Sequence, residues 1–124
     1  MTLQTEHTRR ALVAGAREFN RGRYFEAHEA FEEALDSLPD NVWDLFVGVI
    51  QIAVGYHKAT QGLSSGAAGM LERGMEKVAP FPADAAGLDL GGLRERAAAD
   101  AAALRAGTFD LERFRRHPPR LRFV

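Results

Sequence analysis

No cysteine occurs anywhere in the 124 residues. Its absence removes disulfides, thiol nucleophiles and cysteine-ligated zinc together, and makes a cytoplasmic protein the expected class. An excess of one charge is lacking too. Lysine and arginine number 16 against 17 aspartates and glutamates, a formal net charge of −1, so no global field draws the chain to nucleic acid or an anionic membrane. Long apolar runs are missing. The most apolar stretch, Val42 to Ala53, contains Asp44 and Gln51 and runs on into Tyr56, His57 and Lys58. It is too short to cross a bilayer and fits a buried helix, so no membrane association is expected. The N-terminal stretch MTLQTEHTRRALVAGAREF begins polar and turns amphipathic, without the apolar core of a signal peptide. Nor does any segment sustain the period-two alternation of a half-buried strand.

What is present is helical spacing. A chain of this length fills one domain with one core, and its apolar residues recur every three to four positions. A first helix is expected from about Thr8 to Phe19, with Asn20 to Arg23 as the turn and a second helix from about Tyr24 to Ser37 that stops near Pro39. Asn41 is placed to cap a third helix that runs to about Thr60, and Ser64-Ser65 to cap a fourth that runs to about Val78. Residues 79–92, with two prolines and three glycines, read as the longest loop. A fifth, alanine-rich helix covers about Leu93 to Arg105, and Asp110 to Arg115 form one more turn before Pro118-Pro119. The expectation is an all-α, four- to five-helix bundle-like array with mostly antiparallel neighbours.

The third helix is the expected centre. On a wheel of about 100° per residue, Trp43, Phe46, Val47, Ile50, Val54 and His57 form one face, and Leu45, Val49, Ile52 and Tyr56 a second. Two sides should therefore meet other helices. The remaining stripe carries Asp44, Gln51 and Lys58, flanked by Gly48 and Gly55. Each glycine lowers helix propensity by about 1 kcal/mol. A close approach to the fourth helix, with its Gly66, Gly69 and Gly74, would account for them.

Two resemblances follow from these residues. Over residues 11–39, Gly15, Gly22, Ala27, Phe31, Ala34 and Pro39 fall on the spacing of a tetratricopeptide-repeat hairpin. Glu18 and Ala11 depart from that pattern and no second copy follows, so convergent hairpin packing explains it. The second covers nearly the whole chain. Phe19-Asn20-x-Gly22-x-Tyr24-Phe25-Glu26-Ala27-His28-Glu29, then Glu32, Gly48-Val49-Ile50-Gln51-Ile52-Ala53, His57, Gly66-Ala67 and Pro118-Pro119, in that order, resemble the DUF309 family. In that family a tryptophan often closely follows the HE-x-x-E segment. Here Ala34-Leu35 takes that place and Trp43 lies later, so no role passes to Trp43. The resemblance implies an all-α bundle-like fold and an uncharacterised function.

His28-Glu29-Ala30-Phe31-Glu32 is the segment closest to chemistry. A zincin needs HE-x-x-H, whose two imidazoles one turn apart share a metal while the glutamate acts as base. Here Glu32 replaces the second imidazole, so His28 and Glu32 either share a divalent ion or pair with each other. Candidate binding residues are His28, Glu29, Glu32, Gln51, His57, Tyr24 and Tyr56, and candidate metal ligands are His28, Glu32 and His57. No catalytic constellation is legible: no nucleophile–base pair stands out, Ser64 and Ser65 read as cap residues, and there is no phosphate-binding glycine loop of recognised spacing. No cofactor is evident beyond a possible divalent metal.

Charge is unevenly spread. Glu26, Glu29, Glu32, Glu33, Asp36, Asp40 and Asp44 follow one another with no lysine or arginine between them. Arg105, Arg113, Arg115, Arg116, Arg120 and Arg122 dominate the other end, interleaved with Leu111, Phe114, Leu121 and Phe123. Residues 107–124 are therefore expected to dock as a basic tail, in cis or on a neighbouring subunit. Binding of phosphate or nucleic acid by these arginines is the minor alternative. The leading expectation is a domain acting through protein contacts, as a homo-oligomer; a metal-binding protein or metal-dependent hydrolase using HE-x-x-E is the alternative.

Overall fold

A computed structural model describes residues 6–124. The first five residues of the expected polar N-terminal stretch lie outside the described residues. Six α-helices follow in order: α1 (Glu6–Asn20), α2 (Tyr24–Glu33), α3 (Asp40–Thr60), α4 (Ser64–Val78), α5 (Leu90–Ala106) and α6 (Leu111–Arg116). Short 3₁₀ turns stand at Leu35–Ser37 and Ala85–Gly87. The architecture is an all-α bundle.

Each of the first four helices packs on the next, and the contacting residues give the directions. Phe25 meets His57 and Phe31 meets Phe46, so α2 and α3 run antiparallel. Glu72 binds Arg105 while Arg94 donates to the carbonyl of Val78, so α4 and α5 do too. Short connections leave few other arrangements.

α3 and α4 approach each other closely, as the glycines of both helices foretell. A methyl group on Gly74 would lie 2.6 Å from Ile52 Cγ1 and 2.7 Å from the Gly48 carbonyl oxygen. One on Gly48 would lie 2.5 Å from Val78 Cγ1 and 2.9 Å from the Gly74 carbonyl oxygen. The two glycines thus face each other's backbone, a separation that side chains would forbid. Gly69 takes no part: only the flexible end of Arg105 comes as near as 3.9 Å to its added methyl position.

Several expected boundaries move. Asn41 does not cap α3; Pro39, extended at ψ 149°, precedes a helix that begins at Asp40. Ser64 and Ser65 do not cap α4, because Gly62 at φ +77° turns the chain so sharply that the helix starts at Ser64 after Leu63. The long loop closes early. Asp89 accepts a hydrogen bond from the Gly92 amide at 2.9 Å, which draws Leu90, Gly91 and Gly92 into the first turn of α5.

The α3 faces differ from the expectation of two covered sides. Leu45, Val49, Ile52 and Tyr56 are buried, as are Phe46 and Ile50. Trp43 is 42% exposed, and Val47, Val54 and His57 are only half-buried. One side of the central helix stays partly open between α2 and α4.

After α6 the chain lies back on the bundle. The Asn20 side chain donates to the Leu121 carbonyl at 3.0 Å and accepts from the Leu121 amide at 2.7 Å. Asp89 and Val124 amides bond the carbonyls of Arg122 and Gly87. Phe114 and Leu121 are buried, while the Arg9 guanidinium sits 4.3 Å from the Phe123 ring centre. Among the described residues, no arginine after Gly107 forms an ion pair with an α2 carboxylate. Apolar side chains and main-chain bonds hold this segment, and the arginines stay in solvent.

Candidate functional site

His28 lies at the border of the α2 core face, one turn from Glu32. Its Nδ1 donates to the Phe25 carbonyl at 2.5 Å, which leaves Nε2 with the lone pair in the neutral ring. That nitrogen is 4.0 Å from a Glu32 carboxylate oxygen, beyond hydrogen-bond length. Glu29 is exposed. The Phe25 ring packs against both imidazoles, its centre 4.8 Å from that of His28 and 5.3 Å from that of His57. Gln51 has its amide oxygen buried without a hydrogen-bond partner. Among the described residues no three histidine, aspartate or glutamate side chains gather in a way that would hold a metal. The structure brings His28 and Glu32 near each other, and adds no third ligand.

The two tyrosines are brought together, but elsewhere. Tyr24 and Tyr56 ring centres are 5.6 Å apart, with Phe19 edge-on to both and Phe114 of α6 against both. Helical spacing puts Tyr56 on the buried side of α3, and the Tyr24 position at the start of α2 faces the same core. The Tyr56 hydroxyl donates to Asp100 at 2.7 Å instead of reaching His57 or Gln51. Arg96, one turn earlier on α5, donates to the same carboxylate oxygen at 2.9 Å and to the His117 carbonyl at 2.6 Å. This charge-assisted chain ties α3, α5 and the segment after α6.

Sequence reasoning missed Asp100 and Arg96, although their i, i+4 spacing on α5 was a usable signal. Burial raises the Tyr56 phenol well above its usual range, and the charge and hydrogen bond of Asp100 raise it further. Burial also raises Tyr24, with Arg96 pulling it down and Asp100 pushing it up. The Tyr24 hydroxyl is buried and has no partner.

Two clefts flank Phe114. The larger, about 630 Å3, runs beside Arg96, Asp100, Asp110, Arg113 and His117 over Phe109. The smaller, about 420 Å3, opens between the α1–α2 turn and α6, beside Arg21, Tyr24, Arg115 and Pro118. Both sizes suit a small ligand. None of His28, Glu32, Gln51 and His57 lines either one.

No helix of the described residues is long and apolar enough to cross a membrane. A comparison with curated proteins finds no match. Residues 12–70 match the family model described as a domain of unknown function, DUF309. That segment contains the α1–α2 turn, the HE-x-x-E segment and all of α3. The match over residues 12–70 supports the resemblance to the DUF309 family that the residue pattern implied.

Proposed function

We propose that the domain works through protein contact, with a second copy of itself as the first partner, along the open side of α3. The observation that carries this reading is the exposure of large apolar side chains there: Trp43 at 42%, Phe25 at 45% and Leu63 at 51%. Val47 and Val54 fill the same side between them, half-buried. Phe25 and Trp43 belong to the opposite ends of one continuous face, because α2 and α3 run antiparallel.

Charge supports a two-fold arrangement. Beyond Phe25, helical spacing along the α2 edge gives Glu29 and Glu32, both exposed. Along the α4 edge the stripe from Leu63 continues through Gly66, Met70, Arg73 and Lys77. A two-fold axis parallel to α3 sets the acidic edge of one copy over the basic edge of the other and Trp43 against Trp43. At 21 residues α3 is about 30 Å long. A strip of that length and three helices wide approaches the roughly 800 Å2 per partner that stable interfaces bury.

Light scattering over a range of concentrations and salt tests the reading. The expected result is a dimer that loosens as salt rises and is abolished by Trp43→Glu. A monomer throughout overturns it.

A further inference from the structure

Most arginines that take no partner in the bundle gather on one face. Arg9, Arg17, Arg115, Arg116, Arg120 and Arg122 are exposed and form no ion pair among the described residues. Arg21 has only a distant one, 3.8 Å from Glu18, whose other carboxylate oxygen is held by Arg23 at 2.5 Å. Arginines elsewhere are mostly occupied: Arg10, Arg96 and Arg105 pair with carboxylates, and Arg94 donates to two carbonyls.

Local structure builds this face. Arg9, Val13, Arg17 and Arg21 recur every fourth residue, so α1 and its end carry them as one stripe, about 18 Å long. The last residues lie against that stripe, with Leu121 bonded to Asn20 and the Phe123 ring beneath Arg9. Leu121 is buried, and Arg120 and Arg122 on either side of it stay in solvent. Arg115 reaches the same edge from α6, across the smaller cleft from Arg21. Glu112 on α6 offsets one of these charges.

We infer that this face binds the phosphate backbone of a duplex nucleic acid without reading its sequence. The balanced total charge does not oppose this, because salt screens charges beyond about 10 Å at 0.1 M and the local cluster acts alone. Every cation named on the face is a guanidinium, whose fork suits phosphate oxygens, while Lys58 and Lys77 lie on α3 and α4. A row of this length exceeds any small phosphate ester and suits a linear polyanion. A single strand calls for exposed aromatic rings on which its bases stack. Here Phe114 is buried and Phe123 is covered by Arg9, so a paired backbone fits better. No residue of this face belongs to the α3 surface, so the two readings stand or fall separately.

Fluorescence anisotropy of the full chain with a labelled DNA duplex tests this, with the single strand and polyglutamate as competitors. The expected dissociation constant is about 1–100 μM at physiological salt, with a log–log salt slope of about −4 to −5. Combining Arg17→Gln, Arg116→Gln and Arg120→Gln weakens binding about tenfold or more and removes about three from that slope. The thermal midpoint stays the same, because these side chains hold nothing in the fold. Arg105→Gln takes an equal charge from α5 and leaves affinity unchanged. Five results overturn the proposal: no binding at about 50 mM salt, an unchanged slope in the triple variant, equal weakening by Arg105→Gln, tighter binding of the single strand than of the duplex, or displacement by polyglutamate at matched charge.

Discussion

Replacing Gly74 with alanine sets two terms of known sign against each other. In an isolated helix the change is favourable by about 1 kcal/mol, because alanine loses less backbone freedom. In this bundle the new methyl meets Ile52 Cγ1 at 2.6 Å, the Gly48 carbonyl oxygen at 2.7 Å and the Ile52 amide nitrogen at 3.0 Å. Two of those three atoms are backbone, so no rotamer change relieves the contact and α4 must move away from α3. Overpacking of this kind costs about 1–3 kcal/mol; with backbone atoms in the way the upper half of that range applies. The net expectation is a loss of about 1–2 kcal/mol, after the propensity gain is subtracted. Gly69→Ala on the same helix is the control. Its methyl meets only a flexible guanidinium at 3.9 Å, so propensity alone acts and stability rises by about 0.5–1 kcal/mol. Urea unfolding followed by circular dichroism reads both, with an unchanged slope showing that the unfolded state is the same. Gly74→Ala as stable as the parent, or both variants shifting in the same direction, refutes the close-approach argument.

Two further outcomes follow from the same structure. The chain has only two tyrosines, and burial raises both phenols. Unfolded tyrosine loses its proton near pH 10, so the stability these groups contribute is complete below about pH 10 and is lost as pH rises beyond it. Spectrophotometric titration should show no tyrosinate at that pH in folded protein and its appearance on unfolding; tyrosinate already present in the folded protein near pH 10 contradicts the buried cluster. Asn20→Ala removes both hydrogen bonds to Leu121 and should cost about 1–3 kcal/mol and expose the segment after α6 to proteolysis. Resistance equal to the parent would mean that Phe114 and Leu121 hold that segment unaided.

The bundle was legible because its signals are local. Apolar spacing marked the helices, Gly22 and Pro39 marked the ends of the first hairpin, and paired glycines on the third and fourth helices marked their contact. The caps were misread for a local reason as well. Pro39 and Gly62 start the following helices so abruptly that Asn41 and Ser64 fall inside them. The polar network was hidden for a different reason. Tyr56 and Asp100 are 44 residues apart, and α5 is so rich in alanine that nothing in its pattern says which side is buried. Asn20 and Leu121, 101 residues apart, are likewise joined only by the fold. At the HE-x-x-E segment, sequence spacing gave the His28–Glu32 proximity but not the Phe25 ring, which touches both His28 and His57.

Trp43 offers the most direct test of the central claim, because it is the single tryptophan and faces its own copy in the proposed contact. Its fluorescence, recorded across a dilution series alongside sedimentation equilibrium, reads both the association and the surface that makes it. The account predicts emission characteristic of a buried indole in the dimer, shifting to that of an exposed one as the mass falls to a monomer. Emission that stays constant while the mass changes would place the contact elsewhere on the molecule, and a constant monomer mass would remove the contact altogether.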